Sequence, residues 1–532
     1  MVPPGNPLAR PVYLTGFMGT GKSTVGPVLA AHLGLPFVDA DTAIASLAGT
    51  SLAELVRVHG EAHFRSLERR FLEEQLADPS PRVVALGGGA LLDRSLRLQV
   101  LQQGTLLGLR ASLSLLCRRL STDASRPLLT GAPLESTIRG LLVLREDAYA
   151  EVHATLDVDH LSPEQAALRL AHLARQADLL VAAGKRSYPI RISRNVPSLS
   201  ETLCSLSPTS TLLVTDRNVA HHYASSFPAW VDRFTWNTIT LDPGESSKNE
   251  QTLGLLWRTL LRTGLDRRGL IVGIGGGVVT DLAGLAAGTW LRGIRWLAVP
   301  TTLLGMVDAA IGGKTAIDLE DGKNVVGLIH PPSAVLTGVG LLATEPQRGL
   351  VSGLAEAVKT ALIGDASLLD LIEAQQEALL ARNLEVLEGV VRGAARVKAA
   401  VVSRDEDEEG ERRVLNLGHT LGHVLEVSGG FSRWTHGEAV ALGMVAALRV
   451  GEAMGWTEPG LACRTEGILR GLGLPTVLDP GEVARALPLL SHDKKREQGE
   501  IHFVVVERPG AARTERITLD RLSAMFLRAA GA

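Results

Sequence analysis

Short apolar runs alternate with longer amphipathic stretches over the first third of the chain. The runs at residues 12–17, 83–86 and 106–109 have the length of strands, whereas the stretches that begin at Lys22 and at Leu52 have helical spacing. This alternation predicts a parallel sheet whose crossover helices cover its faces. After residue 126 the pattern is helical until about residue 178.

A second alternation follows almost without a spacer. Strands are predicted at residues 211–215, 239–241, 270–274 and 296–299, and from about residue 352 to 455 the apolar positions recur at helical spacing. We therefore predict an α/β domain at 1–175, a short linker at 176–183, a second α/β domain of nucleotide-binding layout at 184–338, and a mainly helical part at 339–532.

Composition narrows the classes of partner. The 532 residues carry a formal net charge of −3, which gives no global field for nucleic acid or an anionic membrane, so neither is an expected partner. The three cysteines lie far apart, which argues against disulfides and against a thiolate zinc site. The N-terminus lacks a signal-peptide pattern, and we expect a cytoplasmic protein.

The segment from Gly16 to Ser23 reads GFMGTGKS and stands between a predicted strand and a predicted helix. In that context the G-x-x-x-x-G-K-S spacing predicts a phosphate-binding loop. Its backbone N–H groups and Lys22 would face nucleotide phosphates, and the hydroxyl of Ser23 would support Mg²⁺.

Other polar residues of the first domain predict what is phosphorylated. Asp39 and Asp41 follow the second predicted strand, where a D-x-D pair is as often a helix cap as a site. Arg65, the glycine triplet 87–89 and Arg145 complete a cationic, glycine-lined pocket that suits a small carboxylate.

In this order, the motifs GFMGTGKST, FVDAD, GE-x-x-FR-x-x-E, LGGGA, SRPLL and R-x-x-x-Y resemble shikimate kinase. Gluconate-type and nucleoside-monophosphate kinases are the rivals, and the FR and GGG elements count against both. Ser125 departs from the family, which usually has glycine before the lid arginine. The resemblance assigns ATP and Mg²⁺ to Gly19, Thr20, Gly21, Lys22, Ser23, Thr24, Asp39 and Arg126. It assigns shikimate to Asp41, Arg65, Gly88, Gly89 and Arg145, with Lys22, Asp41 and Arg126 catalytic.

The segment GGGVVTDLAG at 275–284 follows an apolar run and opens a predicted helix. A helix N-terminus preceded by glycines suits a pyrophosphate, although a glycine triplet alone is a weak signal that a tight turn would also explain. Polar pairs at other strand ends strengthen the dinucleotide interpretation. These pairs are Asp216 with Asn218, Glu245 with Lys248, and Thr301 with Thr302.

The helical part carries the metal signal. His419 and His423 are four residues apart and share a helix face, His436 follows shortly, and Glu356 is the acidic candidate. A His₂Glu set would suit a zinc-like catalytic ion, whereas a histidine pair alone is more often structural. Several cations and amides in glycine-rich turns or near these ligands suggest a phosphate-bearing substrate.

Across residues 184–505 the motifs resemble 3-dehydroquinate synthase, notably GGGVV-x-DLAG, VPTTLL-x-x-VDA-x-IGGKT, SGLAE-x-VK, LNLGHT-x-GH and HGEAVA. The resemblance implies NAD and a metal, Zn or Co, held by Glu356, His419 and His436, and a homodimer. The NAD set is Asp216, Asn218, Glu245, Lys248, Gly276, Gly277, Val278, Asp281, Thr301, Thr302, Asp308, Lys314 and Lys323. Substrate phosphate and carboxylate are assigned to Lys314, Asn324, Lys398, Arg412 and Lys495, and catalysis to Lys314, Lys359, His423, Arg412 and Asn416.

The full prediction is an α/β chain with three parts. A P-loop kinase domain with a parallel sheet precedes a Rossmann-like NAD-binding α/β domain and a mainly α-helical metal-binding domain. It would phosphorylate shikimate with Mg-ATP and form 3-dehydroquinate from 3-deoxy-D-arabino-heptulosonate 7-phosphate. Two alternatives stay open at this point: another sugar-phosphate cyclase or polyol dehydrogenase in the larger part, and a degenerate half that only binds.

Overall fold

A computed structural model describes residues 10–121, 133–175, 178–197, 199–227, 236–320, 322–492, 496–497 and 500–531. The chain forms two compact units, Met1–Pro189 and Ile190–Ala532. Among the described residues, no helix combines the length and the apolarity that a bilayer span requires. The predicted boundaries at 175, 183 and 338 stay predictions.

The first unit is built on a parallel sheet in the order β2-β3-β1-β4-β5. Its strands are β1 (Val12–Gly16), β2 (Phe37–Asp39), β3 (Val83–Ala85), β4 (Thr105–Arg110) and β5 (Ala154–Asp157), and β6 (Leu179–Val181) follows. The helices are α1 (Lys22–Leu33), α2 (Ala40–Ala48), α3 (Leu52–Ala77), α4 (Arg94–Gln103), α5 (Leu113–Leu120), α6 (Leu134–Leu144), α7 (Glu146–Ala150) and α8 (Pro163–Arg175).

Alternate residues of β1 face opposite sides of this sheet, as strand geometry requires. Val12 and Leu14 belong to one buried cluster with residues of α1 and α8. Tyr13 belongs to another with residues of α3 and α4. Helices therefore cover both faces, which confirms the predicted α/β layering and leaves the carboxyl edge of the sheet open for ligands.

The second unit begins with a parallel sheet in the order β7-β14-β11-β10-β8-β9. Its strands are β7 (Tyr188–Ser193), β8 (Thr211–Asp216), β9 (Trp236–Leu241), β10 (Leu270–Gly275), β11 (Arg295–Pro300) and β14 (Ala334–Gly338). Its helices are α9 (Leu199–Leu206), α10 (Arg217–Tyr223), α11 (Glu250–Arg262) and α12 (Gly277–Thr289). The chain runs outward from β8 to β9 and then in the other direction from β10 to β11, so a topological switch lies between β8 and β10.

An antiparallel hairpin, β12 (Lys314–Leu319) and β13 (Gly322–Ile329), precedes β14. The helical part then contains α13 (Gln347–Gly364), α14 (Ala366–Ala374), α15 (Gln376–Leu380), α16 (Leu384–Arg404), α17 (His419–Ser428), α18 (His436–Ala453), α19 (Leu461–Gly471), α20 (Pro480–Ala486) and α21 (Leu519–Ala529). Before α21, β15 (Arg496–Glu497), β16 (Glu500–Arg508) and β17 (Ala511–Thr518) form an antiparallel sheet. The prediction of a mainly helical part did not include this sheet.

Candidate active sites

The loop between β1 and α1 in the first unit has the conformation that its glycines permit. Gly19 and Gly21 have φ of 82° and 97°, a left-handed region that other residues rarely adopt. Lys22 folds back over the loop, and its Nζ donates to the carbonyl oxygens of Gly16 at 2.8 Å and Phe17 at 3.2 Å. The loop therefore surrounds a lysine whose positive charge would attract an incoming phosphate.

A cavity of about 400 Å³ opens beside this loop. Among the residues that line it are predicted site residues from three elements of the sheet edge: Gly19, Thr20, Gly21, Lys22, Ser23, Thr24, Asp39, Asp41 and Gly88. Arg119, which the sequence analysis did not select, also lines the cavity and donates to the Gly19 carbonyl oxygen at 2.8 Å. Arg126 lies outside the described residues.

The two aspartates after β2 have different local roles. Asp39 is the N-cap of α2, where its Oδ1 accepts from the backbone N–H of Thr42 at 3.0 Å. Asp41 lies in the first turn of α2 and faces the same cavity. The cap interpretation is therefore right for Asp39, and the cap also orients its carboxylate at the ligand edge.

The predicted shikimate residues meet at the glycine triplet after β3. The guanidinium of Arg145 donates to the Gly88 carbonyl oxygen at 3.1 Å, and a Cβ at Gly89 would lie 2.5 Å from the Arg65 guanidinium. A side chain at Gly89 would displace the Arg65 guanidinium, so the glycine lets Arg65 keep this position.

Glu68 belongs to this pocket although it was not predicted as a site residue. Its carboxylate forms an ion pair with Arg65 and is almost fully buried. Burial raises the pKa of Glu68, against the opposing effect of Arg65. Its position three residues after Arg65, on the same helix face, was a usable signal.

In the second unit, the glycine triplet after β10 leads into the N-terminus of α12. A Cβ at Gly276 would lie 3.2 Å from Thr302 Cγ2, and one at Gly277 would lie 3.3 Å from Ala309 Cβ. The triplet thus faces the threonine pair and the π-helical segment Gly305–Ala309, as a pyrophosphate cradle requires. Val278 continues the same helix N-terminus.

Buried charges gather beside this helix. Lys248 Nζ lies 2.6 Å from Asp281 Oδ2 and also contacts the Asn324 side chain. Burial raises the pKa of Asp281 to about 6, although Lys248 opposes the shift. Burial likewise raises the pKa of Glu245, against the pull of Lys248. These predicted residues therefore form one cluster on the hairpin β12–β13.

Asp216 lies at the carboxyl end of β8 and caps α10, accepting from the backbone N–H groups of Asn218 and Val219 at 2.8 and 3.0 Å. Asn218 is exposed at the start of that helix. Both stand at the sheet edge where the prediction placed them, next to the strand that carries the glycine triplet.

The metal candidates converge from α13, α17 and α18. Glu356 Oε1 lies 3.8 Å from His419 Nε2 and 3.5 Å from His436 Nε2. Ligand atoms of the three residues all fall within 4.8 Å of one another. The buried Glu356 carboxylate is paired through Oε2 with Lys359, and its Oε1 faces both imidazoles. A buried carboxylate oxygen that faces two imidazoles fits a divalent cation.

The other ring nitrogens are already engaged. His419 Nδ1 lies 3.1 Å from the Leu417 carbonyl oxygen, and His436 Nδ1 lies 3.2 Å from Glu426 Oε2. These contacts orient both rings so that their Nε2 atoms face Glu356, as the hydrogen-bond partners of ligand histidines do in metal sites. Burial lowers the pKa of His436, but hydrogen bonds to Glu356 and Glu426 outweigh it and raise the pKa to about 10.

His423, Glu426 and His436 form a second group of adequate geometry. Glu426, however, meets His436 through Nδ1, whereas Glu356 faces the Nε2 atoms of both His419 and His436. Glu356 is therefore the better ligand candidate, and Glu426 pairs with Lys323 Nζ at 3.3 Å. Sequence reasoning missed Glu426, although it follows His423 by three residues on one helix face. It connects the metal candidates to the hairpin that carries the NAD candidates.

Asp308 joins the cations of the helical part. Lys398 Nζ lies 2.5 Å from Asp308 Oδ1, and Lys359 Nζ lies 4.0 Å from the same oxygen. Burial alone would raise the pKa of Asp308, but the two lysines hold it well below its ordinary value. Burial lowers the pKa of Lys398.

Glu408 is a further site residue that the sequence analysis did not select, and it lies in the acidic run at residues 405–409. Its carboxylate pairs with Lys314 and accepts from Asn416 Nδ2 at 3.0 Å. Arg412 donates to the Gly312 carbonyl oxygen at 3.1 Å, next to the same turn. Lys495, the remaining predicted phosphate ligand, lies outside the described residues.

Comparisons with known proteins agree with this division. Family models match shikimate kinase at residues 18–174, the 3-dehydroquinate synthase N-terminal region at 238–352 and its C-terminal region at 353–496. A 3-dehydroquinate synthase from Symbiobacterium thermophilum is 43% identical over 62% of this chain and 93% of its own length. One from Halorhodospira halophila is 41% identical over 62% of this chain and 93% of its own.

The chain belongs to the 3-dehydroquinate synthase family and carries an N-terminal shikimate kinase domain. It therefore combines the two activities of the shikimate pathway that these families perform. These matches favour the synthase over another sugar-phosphate cyclase or a polyol dehydrogenase in the larger part.

Two solved structures resemble parts of this shikimate kinase and 3-dehydroquinate synthase chain. The 2-epi-5-epi-valiolone synthase from Streptomyces hygroscopicus subsp. jinggangensis 5008, with NAD+ and Zn2+ bound, is 28% identical, with TM-score 0.59 over 65% of this chain and 97% of that one. A shikimate kinase from Acinetobacter baumannii in complex with shikimate is 33% identical over 31% of this chain and 92% of that one, with TM-score 0.30.

Proposed function

We propose that the second unit works with NAD and a divalent ion, Zn or Co, held by Glu356, His419 and His436, and that the kinase uses Mg-ATP. The observation that carries the metal proposal is the buried Glu356 carboxylate, whose Oε1 lies 3.8 Å from His419 Nε2 and 3.5 Å from His436 Nε2. The glycine triplet at the N-terminus of α12 supports the dinucleotide.

In the kinase, Lys22 exchanges its carbonyl partners for the β- and γ-phosphates of ATP, with Ser23 and Asp39 around the magnesium ion. Asp41 accepts the hydrogen of the attacking shikimate hydroxyl. Arg65 and Arg145 hold the shikimate carboxylate against Gly88 and Gly89. Arg126 closes over the phosphates and excludes water.

In the synthase, Glu356, His419 and His436 would hold the ion and the glycine triplet before α12 would hold NAD. When bound, the ion would supply a Lewis acid for the substrate hydroxyl that is oxidised, and NAD a hydride acceptor that is regenerated within the cycle. The substrate is 3-deoxy-D-arabino-heptulosonate 7-phosphate, and the products are 3-dehydroquinate and phosphate. Lys314, Asn324, Lys398, Arg412 and Lys495 bind the phosphate and carboxylate of the substrate.

We assign the proton movements to Lys359, His423 and Asn416. Lys359 is paired with Glu356 and lies 4.0 Å from Asp308. His423 stands on the face of α17 that also carries His419, with ring centroids 5.1 Å apart. Asn416 donates to Glu408, which pairs with Lys314.

The unit further works as a homodimer in the cytoplasm. The homodimer comes from the family likeness, and the location comes from the N-terminal sequence. Gel filtration with light scattering would test the homodimer.

The test measures phosphate release from 3-deoxy-D-arabino-heptulosonate 7-phosphate by the full chain, with NAD and with or without a chelator. Shikimate-dependent ADP formation is followed separately. We expect chelation and Glu356→Gln to abolish phosphate release, and the variant to lose bound metal, while ADP formation by the variant is unchanged. Phosphate release that persists in metal-free protein, or sustained accumulation of NADH, would contradict the proposal.

A further inference from the structure

A buried carboxylate outside the sites described above joins two segments of the synthase unit. Glu345 is 7% exposed, and its Oε2 accepts the backbone N–H of Leu303 at 3.0 Å. Leu303 begins the helical segment that continues into the π-helix Gly305–Ala309. A carboxylate that accepts a backbone N–H at a helix start is an N-terminal cap supplied from a distant part of the chain.

The capped segment carries catalytic residues at both ends. Thr301 and Thr302 precede it and belong to the predicted NAD set, and Asp308 lies in its last turn. Asp308 is the anion that pairs with Lys398 at 2.5 Å and approaches Lys359 at 4.0 Å. Any shift of this segment would move Asp308 away from those lysines.

Glu345 also stands directly before α13, the helix that carries Glu356 and Lys359. Farther along α13, a Cβ at Gly353 would lie 2.7 Å from both Leu303 Cβ and Leu304 N. Contacts therefore join α13 to the capped segment at the level of Glu345, of Gly353 and of Lys359. Of these three contacts, the one at Glu345 is the hydrogen bond to the backbone of the capped segment.

We propose that Glu345 is a positioning residue for the synthase reaction: its carboxylate caps the segment 303–309 and thereby holds Asp308 in register with Lys359 and Lys398. The inference rests on the proposed synthase function. The partners of Glu345 are Leu303 and Arg382, so its effect on the reaction passes through the segment that it caps.

The charged groups around Glu345 agree with this role. Burial raises its pKa to about 7, which the Leu303 N–H and the charge of Arg382 partly counteract. Arg382 bonds the carbonyl oxygen of Glu345 at 2.5 Å and the side chain of Gln347 at 3.2 Å, and so fixes the backbone from which the carboxylate projects. Arg382 therefore holds the chain in place just before α13, where Glu345 lies.

Three variants of the full chain test the proposal. Glu345→Leu removes the acceptor, whereas Glu345→Gln keeps an acceptor of similar size. Gly349→Ala keeps the glutamate at position 345 but puts a Cβ 3.0 Å from its Oε1, nearer than to any other described atom. Alanine is favoured over glycine at this helix position, so the substitution acts through the carboxylate. Glu377→Gln, on the exposed face of α15, is the matched control for a lost charge.

We expect Glu345→Leu to lower the synthase kcat about tenfold or more and Gly349→Ala to lower it by a smaller factor, about threefold. Glu345→Gln and Glu377→Gln should stay within about twofold of the parent chain. The shikimate kinase kcat of each variant, measured in the same preparation, should not change, because Glu345 and Gly349 lie in the other unit.

The proposal is overturned if Glu345→Leu and Gly349→Ala keep the parent kcat per folded molecule and only melt earlier, since that is what a merely structural carboxylate would give. Equal losses in Glu345→Gln and Glu345→Leu would also overturn it, because glutamine keeps the acceptor. If the parent chain releases no phosphate, the proposed synthase function itself has failed, which is a different result.

Discussion

The side chain of Lys22 has two electrostatic roles in the kinase. In the structure its ammonium group donates to the carbonyl oxygens of Gly16 and Phe17, so the loop is already folded around a positive charge. Phosphate oxygens are stronger acceptors than these carbonyls because they carry negative charge. The same lysine therefore stabilises the loop before ATP binds and the transferred phosphoryl group afterwards.

Lys22→Ala should lower shikimate-dependent ADP formation by about 100-fold or more, because it removes a cation from the transition-state phosphates. Synthase turnover in the same sample should be unchanged. A coupled ADP assay and a phosphate assay measure the two activities. Kinase turnover that survives the substitution would contradict the assignment of this loop.

Glu345→Gln should also change how stability depends on pH. The ordinary pKa of this carboxyl is 4.5 and burial raises it to about 7, so its contribution to stability is fully present below pH 4.5 and is lost as the pH rises through 7. Relative to the variant, the parent chain should lose on the order of 3 kcal/mol of unfolding free energy between pH 4.5 and 8.

Tryptophan fluorescence during urea unfolding measures this difference in the correct unit, since all seven tryptophans follow residue 190. The quantity to compare is the difference between the two proteins at each pH, because every other carboxylate titrates in both. A difference that stays constant from pH 4.5 to 8 would show that Glu345 is not protonated in the folded state at neutral pH.

At the scale of elements, the metal candidates depend on how closely α17 approaches α18. A Cβ at Gly422 would lie 3.1 Å from the Ala439 carbonyl oxygen, and a Cβ at Gly443 would overlap the Gly418 backbone. Glycines along this contact let the two backbones pack without intervening side chains. His419 and His436, at the starts of these helices, meet for that reason.

Gly443→Ala should therefore push the helices apart, destabilise the second unit by about 1–3 kcal/mol and weaken metal binding. Gly467→Ala in α19 is the matched control, since its Cβ would meet nothing within 4 Å and alanine favours a helix by about 0.5–1 kcal/mol. Metal content and urea unfolding by tryptophan fluorescence test both. Unchanged metal content in Gly443→Ala would show that the close helix approach is not needed.

At the scale of the whole molecule, each unit has its own fold and its own ligands. A ligand stabilises the state to which it binds, by an amount set by its concentration relative to its dissociation constant. NAD and metal should therefore raise the melting temperature reported by tryptophan fluorescence, and a chelator should lower it.

ATP with shikimate should protect kinase activity against heat and leave the tryptophan transition unchanged. Thermal scans with each ligand, followed by fluorescence and by residual kinase activity, make the comparison. A shift of the tryptophan transition by ATP and shikimate would mean that the stabilities of the two units are coupled.

The amino-acid sequence by itself determined the fold class and both families, because strand and helix periodicity and the glycine motifs are local properties of the chain. It also selected Glu356, His419 and His436, which the structure brings together, and the family likeness narrowed their roles. Arg126 and Lys495 lie outside the described residues, so their placement stays a prediction.

Only the tertiary structure revealed Glu408 beside Lys314 and Glu345 beside Leu303, because neither carboxylate has a recognisable spacing to its partner. Glu68 and Glu426 do have such a spacing, three residues after Arg65 and after His423, and the structure showed that both belong to the sites. Glu408 lies far along the chain from Lys314, and Glu345 from Leu303. Such contacts follow from the packing of helices and loops, which periodicity and motifs do not encode.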